Sequence, residues 1–132
     1  MVSYQTHNGR GNVTVESVLF FPVVLMIVLS GFHFAALMHA HHVGSVAASR
    51  GASLMARSMA SHGNVTRAVD EINRVTKEMG GVPFGGPKIT ESPTHFEVTV
   101  SLSSPQIVPF LPASVHRTAT SAKEFFIEAQ DR

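Results

Sequence analysis

The chain has 132 residues, of which 44% are hydrophobic and 14% charged, and its formal net charge is +1. That balance is more apolar than a soluble domain of this size carries. With no basic cluster and no set of stacking aromatics, it excludes nucleic acid as a partner. Cysteine is absent, which excludes disulfides and thiolate metal sites.

Taken from the N-terminus, the first feature is an apolar run. Ser17 to Met38 contains no Lys, Arg, Asp or Glu, and its one ionisable side chain is His33. As a helix these ~22 residues extend about 33 Å, enough to cross a bilayer core of ~30 Å. A cleavable secretory signal is the competing reading, with Val46-x-Ala48 as its cleavage-like site, but its apolar region is shorter. A buried helix of a soluble protein would leave too little chain to wrap it. Arg10 in the short N-terminal segment favours a cytoplasmic N-terminus and places the larger C-terminal part outside. Pro22 inside the run predicts a kink or local melting. Glu16, at the mouth of the run, is a carboxylate where lipid begins, a costly and rare position.

The helical pattern continues past the run. Ala36, Ala40, Gly44, Ala48, Ala52, Ala56 and Ala60 recur at every fourth position, with Gly51 and several serines beside them. Small residues at this spacing let helices approach closely. Ala is also simply a good helix former, but Gly44 and Gly51 each weaken a helix by about 1 kcal/mol, so propensity alone does not account for them.

Gly63-Asn64 breaks the pattern, with Asn64 a predicted N-cap. Val65, Ala68, Val69, Ile72, Val75 and Met79 then follow helical spacing, supported by Arg67–Glu71 and Arg74–Glu78 at i+4. This predicts an amphipathic helix that Gly80-Gly81 and Pro83 end. Phe96, Val98, Val100 and Leu102 alternate with polar residues as a half-buried strand. Lys88 to Thr90 is predicted to pair with it through a turn near Ser92-Pro93. A third strand is predicted within Val115 to Phe126, with a bulge to explain its poor alternation. Between them SPQIVPFLPAS is an irregular connection whose Ile107, Val108, Phe110 and Leu111 are expected to pack back on the domain. The predicted fold is α+β: a long N-terminal transmembrane helix continuing outside the membrane, a second amphipathic helix, and a small antiparallel sheet of about three strands.

Arg10-Gly11, Glu16 five residues after Gly11, and the apolar helix resemble the processing site of type IV prepilins. In that pattern a prepilin peptidase cuts after Gly, and Glu is the fifth residue of the mature chain. The small-residue stretch VGSVAASRGASLMA and the closing EVTVSLSSPQIVPFLPASVHRTATSAKEF resemble the TadE-like proteins, minor pilins or pseudopilins of tight-adherence (Tad, type IVb) pilus systems. Ser17 stands where Flp-type pilins often carry Phe or Tyr. The resemblance implies a cytoplasmic leader 1–11, a transmembrane and extended helix 12–62, and a pilin-like extracytoplasmic helix and sheet over 63–132. It implies processing at Gly11, Asn12 and Glu16, and helix packing through Ala36, Ala40, Gly44, Ala48, Ala52 and Ala56. The implied partners are the cytoplasmic membrane, the peptidase, other pilins or TadE/TadF-type proteins, and the assembly platform. The implied location is the cytoplasmic membrane, single-pass, extending into a surface filament if the chain is incorporated.

Two readings of Glu16 stay open. It either pairs with the mature N-terminal amine of an assembling neighbour, offsetting two charges in an apolar setting, or sits at headgroup depth as a helix-start acid. The eight histidines invite a metal reading, with His39 and His42 at i, i+3, His41 adjacent and His33 lower down. A zinc site needs three or four ligands with support behind them, so the pattern reads as a cluster at the outer membrane face. A pH-responsive contact is the other possibility. Asn12 and Asn64 match the glycosylation sequon, one at the membrane edge and one as a cap. No nucleophile elbow, phosphate loop or paired acids point to catalysis or a cofactor. An uncleaved single-pass membrane protein with an outer binding domain is the alternative function.

Overall fold

The computed structural model describes residues 10–57 and 62–123. The predicted leader up to residue 9, Ala60 and the end of the third predicted strand beyond residue 123 lie outside them. Two helices come first: α1, Arg10–Arg57, and α2, His62–Glu78. Four strands follow: β1, Val82–Pro83; β2, Lys88–Glu91; β3, His95–Ser103; and β4, Ser114–Ala122. The architecture is α+β, with a long apolar helix, a second helix and a small antiparallel sheet.

α1 runs for 48 residues, about 72 Å at 1.5 Å per residue. Helical structure is continuous through Pro22, so the predicted local melting is absent. Two chemically different halves share this rod. Every side chain from Val15 to Val28 is exposed, whereas Ala40, Val43, Gly44, Ala47, Ala48, Gly51, Ala52 and Met55 are buried. The second helix and the sheet pack only on the second half and the turns just before it.

α2 covers one side of that half. Ala68, Ile72, Val75 and Thr76 are its buried positions, the i, i+4, i+7, i+8 stripe of a surface helix. It begins at His62, so Asn64 falls within the first turn and does not precede it as a cap. Its C-terminus closes as a Schellman motif. Gly80 is left-handed at φ 71. The Gly81 N–H donates to the Thr76 carbonyl (2.8 Å) and the Gly80 N–H to that of Lys77 (3.1 Å). Of the predicted ion pairs, Arg74–Glu78 forms at 2.7 Å, while Glu71 is taken by Arg74 (2.7 Å) and by Arg50 of α1 (3.5 Å). The Arg74 hydrogen bond, with its positive charge, holds the Glu71 carboxyl below the usual carboxylate range, and Arg50 adds to this.

β3 is the centre of the sheet. Its burial alternates without a fault, with Phe96, Val98, Val100 and Leu102 inward, as the sequence predicts. β4 pairs with all of it, from His95 opposite Ala122 to Ser103 opposite Ser114. β2 and β1 share the other edge, opposite Phe96–Thr99 and Leu102–Ser103. β1 is an addition to the three predicted strands, and two residues with a Pro leave no periodicity to read. The β4 register is unbroken, so no bulge explains its poor alternation. Its inward positions are Val115, Arg117, Ala119 and Ser121, and the stem of Arg117 lies 3.2 Å from where a Cβ on Gly44 would stand. An arginine stem covering a glycine is apolar packing written in a polar letter.

The connection from Pro105 to Ala113 corrects a second expectation. Val108 is buried, but Ile107 and Leu111 are over a third exposed and Phe110 is 91% exposed. Four apolar residues among three prolines do not make a core when only one of them reaches it.

Candidate functional site along the long helix

The residues singled out for processing and packing all lie on α1. Arg10, Gly11 and Asn12 are its first three residues, so the Gly11–Asn12 bond starts the helix. Glu16 is exposed and lies one helical turn after Asn12, an axial separation of about 6 Å. The sequence alone places these residues, and the helix sets their spacing.

The small-residue row is largely covered by its own chain. Ala40, Ala48 and Ala52 are at most 5% exposed, Gly44 is buried, and Ala36 and Ala56 are half-buried. The two glycines mark the closest approaches. A Cβ on Gly51 would meet Ile72 Cδ1 of α2 at 2.6 Å and Val98 Cγ1 of β3 at 3.4 Å. On Gly44 it would meet Arg117 of β4 and Leu102 of β3 at 3.2–3.4 Å. Gly81, just after α2, approaches Val43 equally closely, at 2.8 Å from its Cγ1. Absent side chains on α1 thus let the sheet and α2 lie directly on its backbone.

The histidines do different jobs. His33 is 1% exposed, and its Nε2–H donates to the Pro112 carbonyl at 3.1 Å. A carbonyl can only accept, so the proton is on Nε2. Its Nδ1 has no hydrogen-bond partner. His39 Nε2–H donates to the Met79 carbonyl at 3.0 Å, tying α1 to the end of α2. His41 is half-buried and His42 exposed. Among the described residues no three His, Asp or Glu side chains gather as metal ligands.

Sequence reasoning missed the His33–Pro112 contact, which joins the apolar run to the proline loop 79 residues later. A signal for it existed. A lone histidine in an apolar run needs a polar partner, and the proline loop has carbonyls in plenty.

Residues 11–53 match the family model described as TadE-like protein. The matched residues lie wholly within α1 and bear out the resemblance read from the sequence. The closing strand–loop–strand region lies outside them. No curated protein and no solved structure matches the chain. Among the described residues one helix is long and apolar enough to cross a membrane, and it is this one. Over its N-terminal helix the chain is therefore similar to TadE-like proteins, and that helix suits it for membrane anchoring.

Proposed function

We propose that this protein is a minor pilin or pilus-assembly protein of a Tad-type (type IVb) system, anchored in the cytoplasmic membrane by α1. The observation that carries this reading is the coincidence, on one helix, of the family match, a Gly11-x4-Glu16 address and an exposed apolar stretch directly after it. The N-terminus is cytoplasmic, residues 1–11 are a leader, and the outer region of 63–132 stands outside. A prepilin peptidase cuts between Gly11 and Asn12, and Glu16 then pairs with the new amine of an assembling neighbour. The protein works by association with other pilins, TadE/TadF-type proteins and the assembly platform, and does no chemistry itself.

N-terminal analysis of the mature protein tests this. A start at Asn12, lost when the peptidase is deleted, is the expected result. An intact Met1 in cells with active peptidase overturns the processing step. It would leave an uncleaved single-pass protein, a reading that the helical setting of Gly11 and Asn12 favours, since a protease must unwind the bond it cuts.

A further inference from the structure

The His33–Pro112 hydrogen bond fixes the height of the proline loop along α1. Crossing a ~30 Å hydrocarbon core takes about 20 helical residues. Counted from Ser17 that crossing ends near Ala36. Pro112, bonded to His33, therefore reaches the last turn of the span. Leu111 and Pro112 close an apolar cleft there against Gly31, His33, Phe34 and Leu37. Phe110, at the loop tip, is 91% exposed at this level.

A second segment arrives at the same end of the sheet. Val82 pairs with Ser103, and the Phe84 N–H donates to the Ser101 carbonyl at 2.9 Å. Phe84 is 60% exposed. None of the three stretches that meet here, 17–49, 79–87 and 102–116, contains a Lys, Arg, Asp or Glu. The ion pairs Arg50–Glu71, Arg74–Glu78 and Lys123–Glu91 belong to other parts of the molecule.

The backbone of the loop also suits a poorly hydrated layer, where an unpaired N–H is costly. Pro105, Pro109 and Pro112 have no N–H to leave unpaired. The N–H groups of Ser104, Ile107 and Leu111 donate to the carbonyls of Ala113, Pro105 and Val108. Gln106 donates its side-chain amide to the Pro109 carbonyl at 2.9 Å.

We infer that the proline loop, with Phe110 at its tip and Phe84 beside it, is a second membrane contact that lies in the outer interfacial layer of the bilayer crossed by α1. The occupant of this surface is lipid. The surface is continuous with the spanning helix, carries no charge, and meets the bilayer through its own tether without needing a partner chain. It rests on the reading of α1 as a membrane span. Its effect is to pin the outer region upright against the membrane, so that α1 cannot pivot freely beneath it.

The chain has no cysteine, so single spin labels can be placed on the full-length protein in phosphatidylcholine vesicles. Labels go at Val24→Cys, Phe110→Cys, Phe84→Cys and Lys88→Cys, all exposed positions where a substitution leaves the packing intact. Collision rates are read with oxygen, which partitions into lipid, and with a water-soluble nickel chelate. The expected result is high oxygen and low nickel contact at Val24, a shallower lipid signature at Phe110 and Phe84, and a water signature at Lys88. A lipid signature at Val24 with a water signature at Phe110 overturns the inference and leaves the span standing. Water at Val24 overturns the span and the inference with it. Protection of Phe110 from both probes overturns the inference in favour of a covering protein, including a second copy of this chain.

Discussion

Gly51→Ala tests whether close approach is what the glycines on α1 are for. The new Cβ would stand 2.6 Å from Cδ1 and 2.8 Å from Cγ1 of Ile72, and 3.4 Å from Cγ1 of Val98. Both neighbours are at most 1% exposed, so neither has open space to retreat into. Alanine gains about 1 kcal/mol over glycine in a helix interior. Overpacking a tight site costs about 1–3 kcal/mol. The balance is a loss of about 0–2 kcal/mol. Gly44→Ala carries the opposite sign. Its nearest atoms are Cγ and Cβ of Arg117 at 3.2 and 3.3 Å, and Arg117 is exposed. Cγ can swing aside, while Cβ and the Leu102 Cδ1 at 3.4 Å need a shift of only a few tenths of an ångström, so part of the roughly 1 kcal/mol helix gain survives.

The two variants are compared by thermal unfolding of the full-length protein in detergent, followed by far-UV circular dichroism. A change of 1 kcal/mol moves Tm by roughly 4–8 °C for a folded region of this size, so the two signs separate. Ile72→Val supplies the control. Alone it costs about 0.5–1.5 kcal/mol, but it removes the Cδ1, the closer of the two Ile72 atoms that meet the new methyl, and leaves only the Cγ1. The Gly51→Ala/Ile72→Val double variant is therefore less destabilised than the sum of the singles, by about 1 kcal/mol. If Gly51→Ala raises Tm as Gly44→Ala does, or if the cycle adds to within about 0.3–0.5 kcal/mol, the steric account of Gly51 is wrong.

Three further outcomes are expected. Glu16→Gln with Gly11 intact leaves cleavage possible but lowers incorporation into the pilus; unchanged cleavage together with unchanged piliation would sink the pairing role. Arg74→Ala lets the Glu71 titration midpoint, read by carboxyl carbon NMR, rise back toward the ordinary carboxylate value. Because the folded-state pKa of Glu71 is depressed, its contribution to stability is present at neutral pH and lost as pH falls through the carboxylate range and below it. The wild type therefore loses more stability on acidification than Arg74→Ala does, and equal losses would refute the linkage. His33→Phe leaves the Pro112 carbonyl without its donor, at a cost of about 1–3 kcal/mol, and is read as faster amide exchange at Leu111 and Ala113, while exchange in β2 stays unchanged.

Much of the fold is legible in the sequence where periodicity is strong. The alternation from Phe96 to Leu102 gives β3, the helical stripe from Ala68 to Val75 gives α2, and the charge-free run gives the exposed half of α1. What is not legible depends on partners distant in sequence. β1 exists only because Val82 and Pro83 meet Ser103 and Leu102. β4 looks irregular until Arg117 is seen lying over Gly44. The apolar letters of the proline loop suggest burial, yet burial needs a core within reach, and only Val108 has one. Of the candidate site, spacing along the helix gives the order of Gly11, Asn12 and Glu16, whereas the identity of what covers the small-residue row needs the tertiary structure.

That cover constrains how such a helix can meet other helices. Small-residue rows suggest helix–helix packing because they expose backbone to a neighbour. Here Ala40, Ala48 and Ala52 already face the sheet and α2 of their own chain. The second half of α1 presents Ser49, Arg50, Ser53 and Arg57 outward instead, and the Ser53 hydroxyl is bonded back to the Ser49 carbonyl at 2.8 Å. A second chain that packs on the folded protein through α1 meets exposed side chains of two kinds. One is this polar strip. The other is the apolar half from Val15 to Val28, where Phe20, Phe21 and Leu25 are exposed. The apolar half offers large side chains, so contact there is by interlocking bulk and not by close backbone approach. Within a membrane such packing gains no hydrophobic drive, because lipid tails are as apolar as the helix. An added polar tie is then what fixes the register of one chain on the next, and among the described residues of that half Glu16 is the one charged side chain able to supply it.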